Sequence, residues 1–473
     1  MGLAEELTAL LGEGRVTVDP FALLMYSTDG GAARGQADVV VFPETTEEVV
    51  EVVRVVSRHG VPIVARGAGT GLAAGAVPSE GGVVVSLKRM DRIHEIDVEN
   101  RTAWVGPGVI NLDLSVATSP FGLHFAPDPS SQAVCTIGGN VANNSGGPHC
   151  LAEGSTVAHV LALEVVLADG EVVTMGSAAP DPIGLDLRGV MIGSEGTLGL
   201  VTKVLVRLLP NPPDVRTLLL AFDSVEDAAA TVSGIIASGV VPAALEMMDQ
   251  AMAVTVENWL HGGLPTETAA LLLAEVVGET PAVEAEAEVI RRVGTENRAR
   301  SIELAADEEQ RATLWKGRKS AFGAVAQTAP DYYLHDTVVP RTRLVETLSQ
   351  IYEIAERHRL PIMNVFHAGD GNLHPLIAYD SEDVEQTERV KKAAAEMVEV
   401  CVSRGGVLSG EHGIGLEKRD YMPMLFNEVD LDAQARLKEC FDPKGIFNPT
   451  KVLPLGSRCF DLGSRPVPDG AWV

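Results

Sequence analysis

A chain of 473 residues exceeds what one hydrophobic core supports, and a composition that is 46% hydrophobic can fill roughly two or three domains, with no stretch polar enough to argue for disorder. The formal net charge of −28 opposes contact with phosphate backbones and anionic lipid, so nucleic acid is not an expected partner, and an anionic substrate needs a local cationic pocket. Five cysteines, Cys135, Cys150, Cys401, Cys440 and Cys459, are widely spaced and form no CxxC, which argues against a disulfide framework, a thiolate zinc site and a resident iron–sulfur cluster.

The opening MGLAEELTALLGEG has no basic region ahead of an apolar run, and no stretch reaches membrane-spanning length. The expected location is therefore the cytoplasm, peripheral to a membrane only through a partner. Thr45 and Glu48 suggest a capping box, and Val49, Val52, Val53 and Val56 recur at helical spacing up to Gly60 and Pro62. Strands are expected at 61–65 and 83–87. Hairpins are expected at 93–105, turned at Glu99-Asn100, and at 161–174, turned at Asp169-Gly170. A last strand, 202–209, runs into Pro210-Asn211-Pro212-Pro213, where a domain boundary is expected.

Beyond it the rhythm changes. Strands are expected at 217–222, 242–248, 270–277, 332–339 and 361–366. Helices are expected at 224–238, 281–293, 307–327 and 341–358. This pattern predicts an α+β domain, 214–408, with a large antiparallel sheet and helices on one face. It follows a first domain, 1–210, and precedes a loop-rich then helical segment, 409–473.

Three glycine-rich loops interrupt the first domain. Arg66-Gly67-Ala68-Gly69-Thr70-Gly71 follows a strand, and such glycines let backbone N–H groups approach an anion, a pyrophosphate being the natural guest. It matches the GxGxxG fingerprint only loosely and no helical pattern follows, so a Rossmann site fits poorly. Alone it could equally be a structural turn. Pro127-Asp128-Pro129-Ser130-Ser131 leads to Thr136-Ile137-Gly138-Gly139-Asn140, and Gly193-Ser194-Glu195-Gly196-Thr197 precedes the last strand. Together the loops favour a large cofactor gripped mainly by backbone.

Further on, His367-Ala368-Gly369-Asp370-Gly371-Asn372-Leu373-His374 reads as a hairpin that lets two imidazoles meet. Ser409-Gly410-Glu411-His412-Gly413 sets a carboxylate beside a histidine in a flexible loop. Two His and one Glu suit Zn(II), Mn(II) or Fe(II), and the alternative is a plain Asp-Gly turn carrying two surface histidines.

The three loops, in this order and spacing, resemble those of the FAD-binding fold of the vanillyl-alcohol oxidase and p-cresol methylhydroxylase (PCMH) superfamily, over roughly residues 38–210. The resemblance implies a two-subdomain PCMH-type FAD-binding domain followed by the α+β cap. It implies that Gly67, Ala68, Gly69, Thr70 and Gly71, entered from Arg66, hold the pyrophosphate. Pro127, Ser131, Gly138, Gly139, Asn140 and Asn144 then line the cofactor, with Glu195, Gly196, Leu198 and Val201. No histidine occurs between Arg66 and Pro78, so non-covalent FAD is expected.

Residues 361–376 and 405–420 resemble the C-terminal region of FAD-linked oxidases acting on D-2-hydroxy acids, such as the flavin subunit of glycolate oxidase, cytochrome-linked D-lactate dehydrogenase and D-2-hydroxyglutarate dehydrogenase. The likeness spans nearly the whole chain. It implies that His367, His374 and Glu411 bind a divalent metal, that His412 is the catalytic base, and that Arg318 grips the substrate carboxylate. The implied activity is oxidation of a D-2-hydroxy acid to the 2-keto acid by hydride transfer to flavin. Leu334 and Leu376 stand where relatives that take dicarboxylates place polar or cationic residues, which favours D-lactate or glycolate over 2-hydroxyglutarate. Some glycolate-oxidising relatives use separate flavin-type and iron–sulfur subunits, so a separate electron acceptor is an expected partner, and a homodimer is compatible. Three rivals stay open: a metal-dependent hydrolase using His367, His374 and Glu411, a non-catalytic flavin or ligand-binding module, and a flavoenzyme for another alcohol.

Overall fold

The computed structural model describes residues 2–179 and 184–454. By its internal contacts the chain divides into two units. Unit 1 takes the described residues of 1–146, 155–211 and 411–473, and unit 2 takes 147–154 and 212–410.

In unit 1, β1 (Val16–Thr17), β2 (Val39–Val41), β3 (Ile63–Arg66) and β4 (Val83–Ser86) form a sheet of order β1-β2-β4-β3, parallel except for β1. The helix Thr46–His59 packs against it. Valine is a poor helix former, so propensity does not explain this helix. Burial does: Val49, Val52, Val53 and Val56 are all fully buried among Ile63, Val83, Val85, Leu7 and Leu11. At about 1.5–3 kcal/mol for each such side chain, this outweighs any cap. The expected capping box forms by half. Thr45 Oγ1 accepts from Glu48 N, but the Glu48 carboxylate accepts from Glu44 N and Arg15 instead.

The remaining strands of unit 1 are β5 (Ile93–Asp97), β6 (Thr102–Val105), β7 (Leu123–His124), β8 (Val160–Val166), β9 (Val172–Gly176), β10 (Leu200–Arg207) and β11 (Leu209–Pro210). They give an antiparallel sheet of order β5-β6-β10-β8-β9 and a small β7–β11 pair. Both expected hairpins are present. The C-terminal part of the unit returns to β3: Ile63 N donates to Ile446 O and Asn448 N to Ile63 O, each at 2.7 Å, while Phe447 enters the core beside Ile63. The strand that leads into the first glycine loop is therefore braced by a segment nearly 400 residues away.

Unit 2 is built on an antiparallel sheet of β12 (Asp214–Phe222), β13 (Ala244–Asp249), β14 (Ala270–Gly278), β15 (Ser301–Leu304), β16 (Asp331–Leu334), β17 (Thr337–Val338), β18 (Ile362–His367), β19 (Asn372–Leu373) and β20 (Pro375–Tyr379). Its main path runs β15-β12-β14-β13-β18-β19-β17, with β20 pairing both β18 and β16. Leu245 and Met247 of β13, with Leu272 and Ala274 of β14, point into a core shared with the helices Val225–Ala237, Thr280–Glu296, Leu344–His358 and Val384–Ser403.

Helices cover the other face as well, contrary to expectation. Strand alternation sends Glu246 and Glu275 to that face, where side chains of the helix Glu308–Lys319 bond to both. The single helix expected at 307–327 is two, Glu308–Lys319 and Ala321–Val325, divided at Ser320. Cys135, Cys150, Cys401 and Cys440 form no disulfide among the described residues, and Cys459 lies outside them. Among the described residues no helix is long and apolar enough to cross a membrane.

Candidate active site

Within unit 1 the three glycine loops pack on one another through their backbones. A Cβ at Gly67 would collide with Thr136 Oγ1, and one at Gly69, whose φ is +74°, would collide with the Arg66 guanidinium. Gly30 N donates to Gly71 O at 2.8 Å, yet a Cβ at Gly71 would meet no atom closer than 3.9 Å. Gly71 thus borders open space, whereas Gly67 and Gly69 serve close approach. Arg66 is buried and donates to Thr28 O at 2.5 Å beside the Tyr26 ring, so its charge is committed within the fold.

In the second loop, Thr136 caps the helix Ile137–Asn143. A Cβ at Gly138 would strike Pro107, and Gly139 N bonds Thr136 Oγ1. Asn144 closes the helix at φ +50°, its Oδ1 accepting from Ser155 Oγ and Val157 N. Pro127 contributes its carbonyl to Asn111 Nδ2, and Ser131 bonds the Cys135 thiol. Two polar atoms here, Asn140 Nδ2 and Ser145 Oγ, are buried without a hydrogen-bond partner among the described residues. Such atoms are costly unless a ligand or water meets them. Backbone loops beside open space and orphaned buried donors fit a large, donor-hungry cofactor such as FAD.

The third loop does something else. Gly196 (φ +70°) approaches Ala65, Leu198 enters the core, and Val201 lies in β10 opposite Val165. Glu195, buried and at φ +53°, accepts from Ile414 N at 2.6 Å and from Gly415 N at 2.8 Å. Burial pushes its carboxyl up to about 7 despite those two bonds. Asn143 Nδ2 donates to His412 O at 2.8 Å, and Asn448 Nδ2 donates to both Gly75 O and Glu195 O at 2.7 Å. The segment carrying Glu411 and His412 is therefore stitched into unit 1 by Asn143 and Glu195, with Asn448 bracing the Glu195 backbone, three roles that composition alone did not reveal. His412 Nε2 lies 3.7 Å from Glu411 Oε1.

Unit 2 brings His367, His374 and Arg318 together. The hairpin turns at Gly371, whose φ of +80° and closeness to Val339 O exclude a side chain, and Asp370 Oδ1 accepts from Asn372 N. The two imidazoles meet edge-on with centroids 5.3 Å apart. Exposures of 4% and 0% rule out the reading of two surface histidines. Leu273, Glu246, His367 and Asn372 form one row across β14, β13, β18 and β19. In that row His367 Nδ1 lies 2.8 and 2.9 Å from the two Glu246 oxygens. His374 Nδ1 lies 3.3 Å from His335 O. Both rings are thus anchored through Nδ1, the arrangement that suits coordination through Nε2.

Arg318 is 1% exposed, not a surface charge. The helix that bears it lays Arg311, Trp315 and Arg318, at i, i+4 and i+7, on the sheet. Arg311 forms a fork on Glu275, Trp315 Nε1 donates to Glu275 at 2.7 Å, and Arg318 Nε donates to Glu246 Oε2 at 2.5 Å. Arg318 Nη2 is 3.4 Å from His367 Nδ1, and Nη1 is buried with no hydrogen-bond partner among the described residues. Leu334 and Leu376 are buried partners across β16 and β20, so that pair is apolar as the sequence suggested. Gly410 sits against Asn372, where a Cβ would collide with the amide, and its N–H bonds Asp336 at 3.0 Å. Glu246 and Asp336, both buried carboxylates of unit 2, went unread in the sequence. Each is paired with residues over 70 positions away, and no local spacing signals that.

Comparison with known proteins agrees with this geometry. Residues 211–452 match the family described as FAD linked oxidases, C-terminal domain, and residues 37–176 match an FAD binding domain. The glycolate oxidase subunit GlcD of Escherichia coli (strain K12) is 44% identical over 95% of this chain and 90% of its own length. A D-lactate dehydrogenase of Anaerostipes hadrus is 34% identical over 90% of this chain and 92% of its own. The crystal structure of p-cresol methylhydroxylase with substrate bound shares the fold, with a TM-score of 0.82 at 19% identity, over 96% of each chain.

Proposed function

We propose that this chain, which belongs to the FAD-linked oxidase family, oxidises a small D-2-hydroxy acid, D-lactate or glycolate, to the 2-keto acid. The observation that carries this is Arg318, a buried guanidinium with an unpartnered Nη1 beside two buried imidazoles. Glu246 already balances the Arg318 charge, so Nη1 is left as a buried, directed donor that needs an acceptor, and a substrate carboxylate is the fitting one. The apolar Leu334–Leu376 pair offers nothing to a second carboxylate, which supports a monocarboxylate.

His367 and His374 hold a divalent ion, Zn, Mn or Fe, with Glu411 as third ligand. Support for Glu411 comes from its neighbour Gly410, fixed against Asn372 of the same hairpin. Such an ion supplies Lewis acidity that makes the hydroxyl easier to deprotonate. Non-covalent FAD, held by the loops at 66–71, 127–144 and 195–201, supplies the hydride acceptor. His412 takes the hydroxyl proton, its backbone held by Asn143. Arg318 binds the carboxylate and orients the Cα–H bond, the single one of D-lactate or one of the two of glycolate, for hydride loss. A separate acceptor protein would reoxidise the cofactor, in keeping with a relative named as a subunit.

Anaerobic mixing of the purified yellow protein with D- and L-hydroxy acids tests the reading. D-lactate or glycolate should bleach the flavin and L-lactate should not. EDTA should block bleaching without releasing flavin, and added Zn(II) or Mn(II) should restore it. His412→Ala should keep its flavin and lose the fast reduction. A colourless protein that stays inactive with added FAD would sink the proposal in favour of a hydrolase. Bound flavin that no hydroxy acid bleaches would sink it in favour of a binding module.

A further inference from the structure

Glu246 belongs to no motif, yet it sits at the centre of the unit 2 cluster. It is 1% exposed, in a strand of otherwise apolar neighbours, Ala244-Leu245-Glu246-Met247-Met248. A carboxylate there is expensive unless every oxygen is matched. The match is double. Arg318 Nε donates to Oε2, and His367 Nδ1 lies within hydrogen-bond distance of both oxygens.

We infer that Glu246 is a positioning residue that fixes the His367 ring with Nδ1 protonated, so that Nε2 is the metal-binding nitrogen, and holds Arg318 in register with it. The inference rests on the metal reading proposed above. Its physical basis is that a carboxylate acceptor on one imidazole nitrogen sets the tautomer and makes the other nitrogen a better donor to a cation. The same carboxylate takes the Nε edge of Arg318 and leaves the Nη1 end for an anion. One side chain thereby sets the direction of both the ligand and the guanidinium. A bare counter-ion for Arg318 would not need the cross-strand register that places Glu246 directly opposite His367.

The test uses the flavin-loaded protein and Zn(II) or Mn(II) alone, with affinity measured by equilibrium dialysis and elemental analysis. Glu246→Gln should keep its flavin and its far-UV circular dichroism but bind metal about 10–100-fold more weakly, the usual loss when an outer partner of a ligand is removed. Because Gln would leave Arg318 buried without its counter-charge, the pair Glu246→Gln with Arg318→Met supplies a variant without that orphaned charge. The pair should show the same metal loss, while Arg318→Met alone keeps wild-type metal affinity. Wild-type affinity in both Glu246 variants overturns the inference and leaves Glu246 as a counter-ion only. If His374→Ala binds metal as tightly as wild type, the underlying metal reading fails and the inference with it, a result that Glu246 variants alone would not produce.

Discussion

Glu195 shows how a residue singled out for one role can carry structural work that its motif does not announce. The third glycine loop marks it as a cofactor contact, yet its two carboxylate oxygens accept from the backbone of Ile414 and Gly415. Gly413 fits beside it only because it lacks a side chain, since a Cβ there would come within 2.8 Å of Glu195 Oε1. Glu195→Gln replaces one acceptor oxygen with an N–H donor that faces another N–H. That loses one hydrogen bond and leaves a buried donor unpaired, at about 1–3 kcal/mol. The expected outcome is a lower melting temperature and slower flavin reduction with flavin content unchanged. Loss of flavin at an unchanged melting temperature would instead support the cofactor role. His367, His374 and Arg318 were legible as residue types in a suggestive order, but their partners were not. Glu246 meets His367 from 121 positions away, and a lone acid in an apolar strand gives no sign of what it faces.

At the scale of elements, periodicity was readable wherever burial is one-sided. The valine helix follows from it, whereas the strands Asp214–Phe222 and Ala270–Gly278, buried on both faces over most of their length, are legible as continuous apolar runs. Several helices were not read, among them Gln250–Leu260 and, as the longest, Val384–Ser403. The second does carry a pattern, with Val390, Ala393, Ala394, Met397 and Cys401 buried, but small alanines blunt the contrast on which the eye relies. The glycine loops were legible as loops, whereas which glycine faces a ligand and which faces protein was not, because that depends on packing. The structure separates them. Gly67→Ala should damage the fold of unit 1 itself, since its methyl would overlap Thr136. Gly71→Ala meets nothing nearer than Asn143 Nδ2 at 3.9 Å and should leave the melting temperature of the flavin-free protein unchanged while weakening FAD binding. Measuring both quantities for both variants checks this. Equal FAD affinity in Gly71→Ala and wild type would remove Gly71 from the cofactor cradle.

For the whole molecule the governing quantity is charge. With 65 acidic against 37 basic residues, the protein repels the small anion it is proposed to oxidise. The sequence alone calls for a cationic pocket to offset this, and Arg318 is an obvious candidate. But Arg318 is paired with Glu246, so the two contribute almost no net charge at a distance. Arg318 can recognise a carboxylate at contact, through its unpartnered Nη1, without drawing one in from solution. The proposed divalent ion keeps only about one unit of charge once Glu411 binds it, so long-range attraction is small beside the repulsion of a net charge of −28, and salt screens the latter. Raising ionic strength from about 0.01 M to about 0.15 M shortens the screening length from about 30 Å to about 8 Å. The second-order rate constant for flavin reduction by D-lactate or glycolate should therefore rise with added salt, the reverse of a protein that steers its substrate. Stopped-flow reduction at low substrate, with the saturated rate followed as a control, measures it. A rate that falls with salt would show that a local positive field, not the acidic surface, sets the approach of the substrate, and would count against a neutralised Arg318–Glu246 pair.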